Sequence, residues 1–384
     1  MRGKAKARRA LELGVKAARH VTALTFGRKL TRPYWPTEPR KSRMRIGGEL
    51  LWWFARHGEV NHYYYVYGLD RKRHGRQDIL PYRVFRKIRN SRNLRTGRAY
   101  NYVCVLRDKF LFAQLVSSLG LATPKPFALL DANSVTWLDR NETLPLATVF
   151  SSATPTLTGF CKPLDGIQGE GAFPLRLAEG RAWVRGEEIA YEQLRARLRG
   201  RYLLQQRIEQ HPALAALNAS SVNTVRLITF CNEGRSTVFS GALRIGTAGH
   251  SVDNWAAGGL IVGIDLKSGT LRGEGFFKPG YGGRVARHPD SGIRFSGYAI
   301  PHFQAAVQLV TRLHEQLRGI HSIGWDVAIC QDGPVVIEGN DDWEGGIPMV
   351  LERDFKRRFL QMYGRERRVA GHAARPELVL PSRL

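Results

Sequence analysis

Between Ser322 and Gly346 the chain reads SIGWDVAICQDGPVVIEGNDDWEGG, and no other stretch limits the fold so tightly. Ile323, Trp325, Val327 and Ile329 alternate with Gly324, Asp326 and Ala328; after Gln331-Asp332-Gly333 comes the apolar run Val335, Val336, Ile337. Period-two alternation ahead of a short glycine-bearing turn and a second apolar run predicts a β-hairpin. A loop formed by residues 331–333, with glycine last, pairs Ile329 with Val335 and, counting outward, sets Asp326 opposite Glu338. Asn340 follows on the same face. Opposed side chains have Cβ atoms about 4.5–5.5 Å apart, so two carboxylates and an amide oxygen converge in an apolar hairpin. Either this is a solvated acidic edge, or a hard divalent cation sits among the oxygens, and such ligands suit magnesium.

At 384 residues and 43% hydrophobic content, the chain has material for a large core and two or three structural units. Cys104, Cys161, Cys231 and Cys330 lie far apart in apolar contexts, with no disulfide framework or zinc spacing, and read as reduced core thiols. The N-terminus lacks the apolar region of a signal peptide, and no run approaches the roughly 20 apolar residues of a membrane span. The expected location is therefore the cytoplasm.

The formal charge of +26 favours an anionic partner. In residues 1–45, 14 Lys/Arg stand against Glu12 and Glu38, a net of +12, and a second basic run extends from Arg71 to Arg98. Nucleic acid, an acidic membrane surface and an anionic substrate are all compatible with this. No zinc finger, RNA-recognition signature or basic zipper favours the first. An Arg-rich composition without any binding consequence is the plainer alternative.

Residues 4–31 read as an amphipathic basic helix with Leu11, Val15, Ala18, Val21 and Leu24 near helical spacing. It suits either an anionic bilayer, as a tether outside the catalytic unit, or packing on the protein itself. Pro33, Pro36 and Pro39 make residues 32–40 a connector. The segment GELLWWFARHGEVNHYYYVYGLD predicts a helix with a core face, then a packed aromatic turn. Asp108 is the expected N-cap of a helix burying Phe110, Leu111, Leu115, Val116 and Leu119 and stopping at Gly120. Strands are expected at 127–131, 146–150, 158–162 and 202–206, in NTVRLITF and in GALRIG. Helices are expected at 187–199, 302–317 and 351–363, a glycine-rich loop at 273–289, and a polar tail after Gly364.

The strand at 158–162 runs into KPLDGIQGEG. Gly166, Gly169 and Gly171 allow backbone N–H groups to wrap a phosphate, beside the ammonium of Lys162. The P-loop ending G-K-[ST] is missing, and so is a typical Rossmann context. Arg226 and Arg244 stand inside apolar strands, where an unpartnered charge is costly, and read as either a structural ion pair or a phosphate contact.

The order of these parts resembles the ATP-grasp superfamily, and in detail the sugar-transfer-associated ATP-grasp family, over roughly residues 45–350. Its most specific pieces are QQRIEQHP, SVNTVRLITF, VDNWAAGG and GWDVAICQDGPVVIEGNDDW. The resemblance implies an α+β fold of two subdomains gripping the nucleotide, with an N-terminal basic helical extension. The corresponding divisions are 1–45 (basic arm and connector), 46–120 (substrate side), 121–204 (lid), 205–364 (C-terminal subdomain with the metal site) and 365–384 (mobile tail). It implies further that Lys109 and Lys162 contact nucleotide phosphates under the loop of Gly166, Gly169 and Gly171. Adenine would dock against Gln205, Gln206, Arg207 and Ile208, and Asp326, Glu338 and Asn340 would hold magnesium. Many members have a hinge glutamate where Gln205-Gln206 stands here, yet a glutamine amide still accepts from an adenine amino group. D-alanine:D-alanine ligases carry an arginine two residues before the metal aspartate, where this chain has Gly324; Arg226 or Arg244 is left to supply that charge.

The activity so implied is ATP-dependent carboxylate–amine ligation through an acyl phosphate, in polysaccharide or glycoconjugate biosynthesis, with small and sometimes sugar-linked substrates. Two alternatives stay open. One is a kinase of the same fold acting on a sugar or other small acceptor; the other is a non-catalytic anion-binding protein, associated with a membrane or nucleic acid, whose main feature is the basic arm. The location expected for the ligase is cytoplasmic, with peripheral contact to the inner face of the membrane through residues 1–31.

Overall fold

The computed structural model describes residues 2–72, 79–93, 102–152, 156–166, 169–247 and 253–370, with the backbone alone for 2–11, 257 and 365–370. Two antiparallel sheets organise it. The first contains β1 (Pro126–Leu130), β2 (Ser134–Trp137), β3 (Glu142–Pro145), β4 (Leu157–Pro163), β5 (Phe173–Ala178), β6 (Arg181–Val184), β7 (Glu187–Ile189) and β8 (Tyr202–Gln205), in the order β3-β2-β1-β8-β4-β5-β6-β7. The second contains β9 (Thr224–Asn232), β10 (Arg235–Ile245), β11 (Leu260–Ile264), β12 (Leu271–Phe277), β13 (Arg284–Val285), β14 (Ser322–Cys330) and β15 (Gly333–Asn340), in the order β13-β12-β11-β10-β9-β14-β15. This is the α+β architecture that the resemblance implied.

Alternation along the second sheet sends Val225 and Leu227 to one face, where Trp325, Val327 and Val336 join Ala306, Val310 and Leu313 of α9 (Phe303–Gln316) in one core. Arg226, Ile228 and Phe230 go to the other face by the period of two. There α1 (Arg2–Phe26), α2 (Arg43–His57), α3 (Tyr82–Asn93) and α11 (Phe355–Ala370) bring Val21, Leu24, Trp53, Phe85 and Phe359 against Ile228 and Phe230. The C-terminal half of α1 is thus part of the core: Val21 and Leu24 are buried and the Leu24 carbonyl accepts the buried Tyr65 hydroxyl at 2.5 Å. Of the face expected for this helix, Val15 and Ala18 are exposed, and the side chain of Leu11 lies outside the described residues. No helix among the described residues is long and apolar enough to cross a membrane.

Asp108 caps α5 (Lys109–Ser118) by accepting the Phe110 and Leu111 amides, each at 2.9 Å. The helix buries Phe112, Ala113 and Val116, whereas Leu111 and Leu119 are exposed. The expected strand at 146–150 is instead α6 (Leu146–Ser151), which starts directly after Pro145 and buries Leu146 alone. Pro145 ends β3 and stands as the extended N-cap residue of the helix, and the short run after it is too brief for its β-branched residues to decide between strand and helix. Residues 187–199 divide into β7 and α7 (Tyr191–Arg197), and two further short helices are α8 (Pro212–Leu217) and α10 (Gly346–Leu351). The expected loop at 273–289 contains β12 and β13; a Cβ on Gly275 would lie 2.9 Å from the Phe295 ring, so its glycine serves close packing within a strand. Cys161 and Cys231 are buried as expected, but Cys104 is exposed at the start of α4 (Cys104–Arg107). The helix α11 continues past Gly364 to Ala370, and residues 371–384 lie outside the described residues, as does Arg95 of the second basic run.

Candidate active site

β14 and β15 form the expected hairpin, and Asp326 is paired with Glu338. The route to that pairing differs from the expected one. Cys330 pairs with Gly333 across a loop of Gln331 and Asp332, so Ile329 faces Pro334 and not Val335; a bulge at Ile337, between the pairs Val327–Val336 and Asp326–Glu338, restores the register. Such an extra residue leaves one position unpaired and shifts everything beyond it by one. Asn340 opposes Gly324, and its amide nitrogen donates to Glu338 Oε1 at 3.2 Å.

Both strand arginines reach Asp326. Arg226, its neighbour across β9, forms a bidentate pair with Nε–Oδ1 at 2.6 Å and Nη2–Oδ2 at 2.9 Å, while Arg244 Nη1 donates to Oδ2 at 3.0 Å. Arg244 Nη2 also donates to Asp253 Oδ1 at 3.1 Å, and Asp253 Oδ2 accepts the Thr224 amide at 3.0 Å and the Thr224 hydroxyl. The result is a buried row of alternating charge, Asp253–Arg244–Asp326–Arg226, with every side chain 12% exposed or less. Burial alone would raise the Asp326 carboxyl, but Arg226 and Arg244 outweigh it and hold it well below the ordinary carboxylate range. Burial and the Asp326 charge raise Asp253, against the opposing pull of Arg244. Asp253, inside VDNWAAGG, and its partner Thr224 carried no assigned role in the sequence; the signal available was an acidic residue next to two in-strand arginines that needed counter-charges.

The first sheet contributes Lys162, buried on β4 at 7% exposure. Burial pulls its pKa down to about 8, with Lys109 acting in the same direction and Glu338 and Asp326 opposing. Lys109 opens α5 against the loop after β4: its amide donates to the Leu164 carbonyl at 3.0 Å and its ammonium to the Gly166 carbonyl. Burial lowers Lys109 as well, against the attraction of Glu338. Lys162 of the first sheet thus interacts electrostatically with Glu338 and Asp326 of the second, and Lys109, at the start of α5, with Glu338. Gly169 and Gly171 have φ of 76° and 73°, and a Cβ on Gly166 would sit 3.1 Å from the Pro163 ring, so this turn is built for glycine.

Gln205 is buried at the end of β8, paired with both Pro126 and Phe160. Gln206 donates its amide to the Lys125 carbonyl at 2.9 Å; its side chain and that of Arg207 are exposed, while Ile208 is half-buried. Gln210 then binds the Asn223 amide, and the His211 amide donates to the Ile329 carbonyl at 2.7 Å, so QQRIEQHP links the first sheet to the second.

The oxygen-only set of Glu338, Asn340 and Asp326 fits magnesium. Among the described residues no three His, Cys, Asp or Glu side chains cluster for a metal; Asn340 sets an amide oxygen beside the two carboxylates. Asp326 differs from the other two, because three arginine hydrogen bonds already occupy its oxygens.

A family model described as sugar-transfer associated ATP-grasp matches residues 89–362. No curated protein matches the chain. Among solved structures it is similar to an L-amino acid ligase from Bacillus licheniformis (15% identity, TM-score 0.34, 65% of this chain and 44% of that one). It is similar also to the N5-carboxyaminoimidazole ribonucleotide synthetase of Thermotoga maritima (11%, 0.32, 62% and 43%) and the D-alanine–D-alanine ligase of Helicobacter pylori (11%, 0.37, 68% and 58%). The chain spans less than two thirds of each of these proteins.

Proposed function

This chain belongs to the sugar-transfer associated ATP-grasp family, and from that premise we propose that it is an ADP-forming carboxylate–amine ligase acting on small, sugar-linked substrates. The observation that carries the reading is that Lys162 on β4 and Lys109 at the start of α5 both lie within electrostatic reach of Glu338, with Asp326 also within reach of Lys162. Phosphoryl transfer needs fixed cations around spreading negative charge more than it needs a nucleophilic side chain, and this site is supplied accordingly. In this reading Lys162 and Lys109 hold the nucleotide phosphates under the turn at Gly166, Gly169 and Gly171, and Gln205, Gln206, Arg207 and Ile208 border the adenine. Glu338 and Asn340, with Asp326 beside them, would hold magnesium, which when bound neutralises phosphate charge. Arg226 and Arg244 fix Asp326 and keep positive charge next to the reacting phosphoryl group. A carboxylate of the substrate attacks the γ-phosphorus, ADP leaves, and an amine then displaces phosphate from the acyl phosphate.

The family description supports a role in polysaccharide or glycoconjugate assembly. The basic charge of α1 and its exposed Leu13 and Val15 support peripheral contact with an anionic membrane at the cytoplasmic side. The test is ADP release by the purified chain against panels of uronic acids, amino acids and amino sugars, singly and in pairs. Release that requires both a carboxylate and an amine is expected. ADP formed with a lone sugar acceptor would identify a kinase, and no release with any pair would refute the ligase.

A further inference from the structure

On the sheet face that carries Arg226 and Asp326, a cavity of about 700 Å³ opens between α1, α2, the turn after α2 and the Lys278–Pro279 segment. Small-molecule sites occupy about 300–1,000 Å³. Trp53, Tyr63, Tyr67 and Tyr82 give it aromatic walls. Tyr63 also stacks on Trp255, centroids 5.8 Å apart and planes 8° apart, two residues beyond the Asp253 that holds Arg244. The cavity is therefore tied to the candidate active site through one short run of chain.

The polar groups of its lining divide sharply. Both carboxylates are already engaged: Glu59 accepts the Arg83 amide at 2.8 Å, and Glu344 accepts the Tyr82 hydroxyl at 3.0 Å and the Gly346 amide at 2.8 Å. The uncommitted groups are donors. Asn61 is 7% exposed; its Oδ1 accepts the Tyr63 amide at 3.2 Å, but its Nδ2 has no partner among the described residues. A buried N–H in that state is unfavourable until an acceptor arrives. His20 and His62 meet edge to face at 5.0 Å. Burial, then His20 and Lys278, hold His62 below the ordinary imidazole value, so the Lys278 charge stands close by.

We propose that this cavity binds an anionic sugar, a uronate or a sugar phosphate, with its ring against the aromatic wall and its charge on Lys278, Asn61 and the His20–His62 pair. The C–H face of a pyranose packs on aromatic rings, whereas a neutral sugar would leave a buried donor set and an ammonium without an anion. A uronate would be the carboxylate substrate of the ligase, whereas a sugar phosphate would be a ligand beside the reaction; the place in the reaction rests on the ligase reading, and the binding does not.

The test is calorimetric titration of the full chain with glucuronate, glucose 1-phosphate and glucose, with and without magnesium and a non-hydrolysable ATP analogue. At least one anion binds and glucose does not; whichever of the two binds tells carboxylate from phosphate. Lys278→Gln, at a half-exposed position that leaves folding intact, weakens binding roughly tenfold or more. Asn61→Asp, which turns a donor into a charge of the wrong sign, removes it, and Lys162→Ala leaves it unchanged. Binding of neither anion, equal binding of glucose, or wild-type affinity in Lys278→Gln overturns the proposal. If the sugar binds while ATP does not, the ligase reading falls and the cavity assignment stands; ATP binding without sugar binding does the reverse.

Discussion

Replacing Lys162 by methionine should stabilise the empty protein while damaging its function. The ammonium is buried and its pKa is pulled from 10.5 to about 8. At about 1.4 kcal/mol per tenfold, keeping that charge in the folded state costs about 3 kcal/mol at neutral pH. Proton counting gives the sign: between pH 8 and 10.5 the unfolded chain binds more protons than the folded one, so the cost is full below pH 8 and vanishes as pH rises toward 10.5. Methionine matches the length of the stem without the charge. With an unfolding entropy of about 2.1 cal/mol/K per residue, Lys162→Met should raise Tm by roughly 4 °C at pH 7. The gain should shrink steadily in scans taken above pH 8. The same variant should bind ATP far more weakly by calorimetry, because it lacks the phosphate-facing cation. A Tm equal to or below wild type at pH 7, or a gain that persists above pH 10.5, would refute the reasoning.

Glu338→Gln should fold normally but lose the rise in Tm that magnesium and a non-hydrolysable ATP analogue give the wild type, and should lower turnover by several orders of magnitude. Asp326→Asn should behave differently, although the sequence alone puts the two in one class: it strips the counter-charge from two buried arginines, for a loss of about 3–5 kcal/mol measurable by urea unfolding even without ligand. The depressed Asp326 carboxyl also means that its contribution is present above pH 3.8 and is lost as pH falls below it, so Asp326→Asn and wild type should converge in stability on acidification. Leu24→Ala should cost about 2–5 kcal/mol, and deleting residues 2–31 should lower Tm and activity on soluble substrates together; an undisturbed truncation would restore the view of this segment as a tether.

The hairpin, the capped helix at Asp108, the Lys162 strand and the in-strand arginines were legible because each depends on local periodicity, a cap or the cost of burying charge. The shortest strands were not: β2 (Ser134–Trp137), β3 (Glu142–Pro145) and β6 (Arg181–Val184) are too brief for alternation to stand out. The amphipathic pattern of residues 4–31 identified a helix, but amphipathicity does not say whether the apolar stripe meets lipid or protein. That was decided by Tyr65 and Trp53, far along the chain. The pairing of Arg226 and Arg244 with Asp326 likewise depended on strand order, since β9 lies between β10 and β14 although many residues separate them in sequence. Either arginine was expected to need an anion; which one was a matter of topology.

The bulge at Ile337 gives the hairpin one residue of slack. A deletion of any single residue from Pro334 to Ile337 can be taken up by straightening the bulge, with Asp326 still opposite Glu338. The tip of the hairpin is thereby insulated from the carboxylates at its base, and the returning strand is free to shorten by one residue without moving the site. An insertion between Glu338 and Asn340 has no such reserve, and would turn Asn340 to the α9 side of the sheet.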